Sequence, residues 1–166
     1  MKANVEYLEQ LFDAQFLGSR QDFVIQDVSI DSRSLKNAEG VLFFAIKGKF
    51  NDAHHFLGEL IQRGVQHFVV QYIPEELVGK ANFFVVKDVL KAFQQFAIYY
   101  RSLFNIPVIG ITGSNGKTIV KEWLNFLLND TYDIIKSPKS YNSQVGVPIS
   151  VISINEHHNL GIFEAG

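Results

Sequence analysis

Residues 107–118 read Pro-Val-Ile-Gly-Ile-Thr-Gly-Ser-Asn-Gly-Lys-Thr and lead into an amphipathic stretch that includes Trp123. An apolar run, a glycine-rich turn and a helix start in that order leave few arrangements open. A buried strand must end in a tight turn, and a helix must begin where the turn's N–H groups converge. Gly113 and Gly116 permit the bend and let the backbone approach an anion closely. The backbone of Gly113, Ser114, Asn115, Gly116, Lys117, Thr118 and Ile119 would then cradle a phosphate, favoured by the positive end of the helix dipole. Lys117 would reach the terminal phosphates as the catalytic cation, and the Thr118 hydroxyl would sit on Mg²⁺. A glycine normally stands five residues before the second loop glycine; here that position is Ile111. The motif is therefore the shorter Thr-Gly-Ser-Asn-Gly-Lys-Thr of residues 112–118. An ordinary strand-to-helix turn would leave the order of strand, turn, lysine, hydroxyl and helix to coincidence.

The surrounding chain suits such a loop. With 166 residues and 47% hydrophobic side chains it can bury a sizeable core. The net charge of −2 and a pI near 6.2 point to neither nucleic acid nor a membrane as partner. Cysteine is absent, so disulfides, thiolate metal sites and a cysteine nucleophile are excluded. The first residues lack a signal-peptide pattern, and runs such as 41–46 are too short to span a bilayer. A cytoplasmic protein is expected.

Periodicity predicts an α/β chain. Residues 5–17 carry apolar side chains at helical spacing, and 23–30 read as one or two short strands. Strands are expected at 41–46, 66–72 and 83–86, with a helix at 53–63 closed by Gly64 and a short helix or loop at 74–80. Asp88 caps a helix that runs to about residue 103. A domain boundary is placed at its end, giving domains 1–104 and 105–166. In the second domain a helix over 117–128 should turn Val120, Trp123, Leu124, Leu127 and Leu128 inward. Strands follow at 132–136 and 160–164, and 147–154 is helix or strand. Three strands fall short of the five or so that a phosphate-loop domain uses. The second domain is thus expected to be truncated, with its third strand exposing an edge.

Further candidates lie near expected strand ends. Glu164 closes a strand that should lie beside the phosphate-loop strand, where a carboxylate can share Mg²⁺ with Thr118. The polar loop 140–146, with Tyr141 and Asn142, offers amide and hydroxyl groups to a substrate, although Ser and Asn also favour turns. Ser32 and Arg33, after Asp31, could hold a phosphate or sugar through the arginine fork, or form only an Asx turn. Lys47, Asp52 and His54 bracket a loop of ligand-binding shape. His157 and His158 lack a third metal ligand at helical spacing.

Together these motifs resemble the Mur ligases, ATP-dependent enzymes that add amino acids to the cell-wall precursor. The short loop 112–118 is similar to that family's ATP loop, including the absent first glycine. Asp31-Ser-Arg33, residues 42–48 and Asp52-Ala-His54 resemble its N-terminal domain, which holds the UDP part of the substrate; Ala53 stands where glycine is common. Tyr141-Asn-Ser, Gly146-Val-Pro148 and Glu164-Ala-Gly166 resemble the central domain's substrate loop and Mg²⁺ glutamate segment. The resemblance implies a small mixed α/β UDP-binding domain followed by the beginning of a parallel-sheet, P-loop ATPase-like central domain. It implies ATP and Mg²⁺ as cofactors, and UDP-MurNAc-tripeptide and D-alanyl-D-alanine as substrates joined through an acyl phosphate. Some bacteria fuse this ligase type to an alanine racemase. The family's carbamylated lysine, its histidine and its C-terminal domain are not identifiable in these residues, so the chain is expected to be an N-terminal part, inactive alone as a ligase and weak in ATP binding. The alternatives are another Mur-type ligase acting one step earlier, a P-loop kinase or NTPase, and a non-catalytic UDP-sugar-binding module.

Overall fold

The computed structural model describes residues 1–49 and 51–166. It divides into two compact units, Met1–Gln95 and Phe96–Gly166. The division falls inside a long helix, whereas the sequence places it where that helix ends.

The first unit begins with β1 (Lys2–Ala3), α1 (Val5–Phe12), β2 (Gln15–Leu17), β3 (Phe23–Val24) and β4 (Asp27–Ser29). Next come β5 (Val41–Phe44), a 3₁₀ turn (Ala53–Phe56), α2 (Leu57–Gln62), β6 (His67–Val70), a second 3₁₀ turn (Glu75–Leu77) and β7 (Asn82–Val85). The main sheet has the order β2-β7-β6-β5-β4. Strands β4 to β7 are parallel and β2 is an antiparallel edge. Both faces of this sheet are covered, which is why β5 is apolar throughout, β6 is apolar after His67, and both are buried at every position. On one face Phe43, Phe68 and Phe83 pack with Leu57 and Leu60 of α2. On the other, Phe12 meets Phe44 and Phe84 edge-on, and Phe44 meets Phe93.

The expected helix over 5–17 stops at Phe12. Asp13 adopts a left-handed conformation (φ 51°) and its N–H closes the helix on Glu9 and Gln10. Residues 15–17 become β2, because Phe16 packs on Phe84 once Gln15–Leu17 pairs with β7. An apolar residue at helical spacing was satisfied by a strand instead.

The long helix, α3 (Val89–Ser102), contributes to both units, and Asp88 caps it through Lys91 N–H at 3.0 Å. In the second unit follow β8 (Val108–Ile111), α4 (Lys117–Leu128), β9 (Ile134–Lys136), α5 (Gly146–Ile152) and β10 (Leu160–Glu164). They form a parallel sheet of order β8-β10-β9. The third strand in sequence is thus central, and the edges of this sheet are β8 and β9. Residues 146–152 resolve as helix.

Candidate functional site

The register β8–β10 sets Glu164 opposite Ile111, at the carboxyl ends of two adjacent parallel strands. Ligands of open α/β sheets bind beyond such ends. There the chain turns through Gly113 (φ 142°) and Gly116 (φ 76°), both in backbone regions that side chains disfavour, and Gly116 caps α4. The Lys117 ammonium folds back onto the Gly113 carbonyl. The Thr118 hydroxyl donates to Glu164 Oε2 at 3.1 Å and stands 3.5 Å from the Ser140 hydroxyl. Residues 46 positions apart in sequence are thereby joined at the mouth of the loop. Two hard oxygens, one carboxylate and one hydroxyl, suit Mg²⁺, which takes few protein ligands and completes its shell with phosphate and water. Among the described residues no cluster of three or more His, Cys, Asp or Glu could hold a metal unaided.

Lys121 is the residue that sequence reading passed over. It lies one turn after Lys117 and three residues after Thr118, so all three share a face of α4. Its side chain is 0% exposed, as is that of Glu164, and Nζ lies 2.7 Å from Glu164 Oε1. Nζ donates to the Ser137 carbonyl at 2.9 Å and to that of Lys139. The contact to Oε1 is an ion pair by distance, but this buried oxygen receives no hydrogen bond of good geometry. Ser137, also buried, accepts the Glu164 N–H at its hydroxyl. The only trace in the sequence was a second lysine four residues after the loop lysine.

The segment after Ser140 reaches the same strand ends. The Asn142 carbonyl accepts the Gly166 N–H at 2.9 Å, and Tyr141 is exposed. Gly146 lies against Tyr141 so closely that a Cβ there would come within 2.9 Å of its backbone.

In the first unit, Asp31 forms an Asx turn with the Arg33 N–H, and the Arg33 guanidinium grips both carboxylate oxygens at 2.9 and 2.8 Å. The arginine side chain holds the Asp31 carboxyl down at about 2. Ser32, Arg33, Ile46, Asn51, Ala53 and Phe56 line a cavity of about 310 Å³. Lys47 and Asp52 form an isolated antiparallel bridge, with Lys47 Nζ 3.8 Å from Asp52 Oδ2. His54 is buried: Nδ1 bonds Asp52 Oδ1 at 2.6 Å and Nε2 accepts the Gln71 N–H at 2.9 Å. Both ring nitrogens are engaged, so His54 shapes this loop through Asp52 rather than offering a nitrogen to a ligand. Burial pushes the Asp52 carboxyl up, but bonds from the His54 N–H, the His54 ring and the Tyr72 hydroxyl outweigh it and hold it low. His158 accepts the Asn155 N–H and His157 is solvated, so the two do not converge.

Residues 111–166 match the Mur ligase middle domain. The UDP-N-acetylmuramoyl-tripeptide–D-alanyl-D-alanine ligase of Synechocystis sp. is 34% identical over 87% of the chain and 31% of its own length. The enzyme of the same name from Treponema pallidum is 36% identical over 84% of the chain and 32% of its own length. Among solved structures, MurF from Acinetobacter baumannii superposes with a TM-score of 0.86 at 26% identity, over all of this chain and 36% of that one. MurF from Thermotoga maritima in complex with ADP gives 0.74 at 26% identity, over 84% of this chain and 32% of that one. The chain thus spans about a third of the length of the relatives it matches.

Proposed function

We propose, from the premise that this chain is a relative of the Mur ligases, that it supplies the nucleotide-sugar and phosphate-loop parts of an ATP-dependent ligase. The reaction joins D-alanyl-D-alanine to UDP-MurNAc-tripeptide. Residues 1–104 form the UDP-precursor domain in this reading, and 105–166 belong to the ATP-binding central domain. The observation that carries it is the meeting of Lys117, Thr118 and Glu164 at the end of two parallel strands. The names borne by relatives aligned over most of the chain support the choice of reaction.

The peptide carboxylate attacks the γ-phosphorus of ATP, the bond to the β–γ bridging oxygen breaks, ADP leaves, and the carboxylate becomes an acyl phosphate. The amine of D-alanyl-D-alanine then attacks the acyl carbon, and phosphate leaves. Charge builds on the transferring phosphoryl group, so catalysis lies mostly in positioning and electrostatics. The N–H groups of residues 113–119 hold the phosphates, and Lys117 leaves Gly113 to meet the terminal ones. Bound Mg²⁺ supplies further charge neutralisation; Thr118 Oγ1 and Glu164 Oε2 are the oxygens that would hold it. Ser32 and Arg33 at the 310 Å³ cavity, with Lys47, Asp52 and the His54-braced turn, take the UDP moiety. Tyr141 and Asn142 face the peptide. ATP and a UDP-linked precursor are cytoplasmic compounds, which goes with a cytoplasmic location. No helix among the described residues is long and apolar enough to cross a membrane.

The full-length protein, given ATP, Mg²⁺, UDP-MurNAc-tripeptide and D-alanyl-D-alanine, should form the amide with release of one phosphate per bond, read by mass spectrometry. A phosphorylated product without amide would instead assign a kinase.

A further inference from the structure

We propose that Lys121 is a positioning residue that fixes the Glu164 carboxylate and the backbone of residues 137–139 to the phosphate-loop helix. What the site binds rests on the ligase reading; the network itself does not.

An ammonium removed from water is costly unless oxygens replace its hydration. Lys121 is wholly buried on a helix whose neighbouring residues include exposed apolar ones, so hydrophobic packing does not account for it. Its Nζ donates to the Ser137 and Lys139 carbonyls and pairs by charge with Glu164 Oε1 at 2.7 Å, with the half-exposed Glu122 Oε1 farther off at 3.5 Å. Two consequences follow. First, the carboxylate is made asymmetric. Oε1 is held toward Lys121, which leaves Oε2 beside the Thr118 hydroxyl as the oxygen to meet a cation. Second, the carbonyls flanking Pro138 are tied to α4. Lys139 is held at φ 51°, a left-handed conformation uncommon for a residue with a side chain. The next residue, Ser140, stands 3.5 Å from the Thr118 hydroxyl and opens the Tyr141–Asn142 segment. One side chain therefore sets both the metal-facing carboxylate and the base of the candidate peptide loop.

The deciding measurement is amide hydrogen exchange of the full chain in EDTA, without ligands, comparing wild type with Lys121→Met. Exchange in residues 137–142 should accelerate at least tenfold, while β5 and β6 keep their wild-type rates. Should Lys121→Met not fold, the double variant Lys121→Met/Glu164→Gln removes both buried charges. It should fold, yet still exchange at least tenfold faster over 137–142. Rates within twofold of wild type in whichever variant folds would overturn the proposal. A second arm measures ATP binding with and without Mg²⁺. Lys121→Met should weaken Mg²⁺-dependent binding at least tenfold and metal-free binding less than threefold; equal losses in both would overturn the role in orienting Glu164. If the site takes no nucleotide, wild type itself shows no Mg²⁺-dependent ATP binding, and the exchange arm still decides the role of Lys121.

Discussion

In the proposed reaction Lys117, at the first turn of α4, is the donor that meets the terminal phosphates. Loss of one such donor costs about 3 kcal/mol of transition-state stabilisation. Lys117→Ala in the full-length enzyme should therefore lower the ligation rate about a hundredfold or more; a variant within twofold of wild type would show that the loop is not the ATP site. His67 makes a separate prediction about stability. It stacks on Phe23 with ring centres 3.6 Å apart, and its Nε2 faces the Asn82 side-chain amide at 3.2 Å. The Asn82 oxygen accepts the Ser19 N–H, so its amide nitrogen donates and Nε2 carries no proton. Burial pushes the His67 imidazole down to about 4. The unfolded chain binds the proton first, so this contribution is fully present above about pH 6.5 and is lost as pH falls toward 4. It amounts to about 2 kcal/mol between pH 7 and 5. Thermal unfolding should show that slope in wild type and a flatter one in His67→Gln; equal slopes would remove His67 as the cause.

At the scale of elements, α4 shows how a helix can be placed correctly and rotated wrongly. Apolar residues at 120, 123, 124, 127 and 128 predict one inward stripe. In the structure Trp123, Phe126 and Leu127 are 68%, 76% and 72% exposed, and Val120 is exposed too. Leu124 and Leu128 are half-buried, and the fully buried position is Lys121. The rotation follows from the strand ends, where Glu164 and the 137–139 carbonyls can satisfy an ammonium but no methyl group. The loop before α5 offers the sharper test. A Cβ at residue 146 would come within 2.9 Å of the Tyr141 backbone, which is no flexible side-chain end. Gly146→Ala should cost about 1–3 kcal/mol through forced backbone shifts. It should also loosen residues 140–146, measured by unfolding and by proteolysis of that loop. Unchanged stability together with an unchanged cleavage rate would show that the turn adapts freely.

At the scale of the molecule, each unit is built on its own sheet. The first is built on a sheet covered on both faces, with Phe43, Phe44, Phe68, Phe83 and Phe84 all essentially inaccessible. Truncating such a ring leaves a cavity that packed neighbours fill only in part. Phe68→Ala should destabilise the first unit by about 3–5 kcal/mol, seen as lost exchange protection in β5, β6 and β7. A loss below about 1 kcal/mol would mean that the two sheet faces repack independently of this ring. The second unit gathers the phosphate loop, Glu164 and the 140–146 segment at one end of a parallel sheet, the geometry on which the proposed chemistry depends.

Local chemistry alone was enough to place the strand, glycine turn and helix of residues 108–128, because Gly113 and Gly116 act through backbone freedom within a few residues. Buried strands with unbroken apolar runs were legible for the same reason, as was the Asp88 cap. The end of α1 was not, since Phe16 satisfies a helical period and a strand alike until β7 supplies a partner. Nor was the engagement of both His54 nitrogens, which depends on Gln71 in a later segment. Lys121 is the clearest case. A lysine on an amphipathic helix reads as solvated, and only the arrival of Glu164, 43 residues further along, and of two carbonyls after β9 turns it inward. Sequence decides what a neighbour along the chain can settle; where a buried charge or ring finds its partner is settled only when distant segments meet.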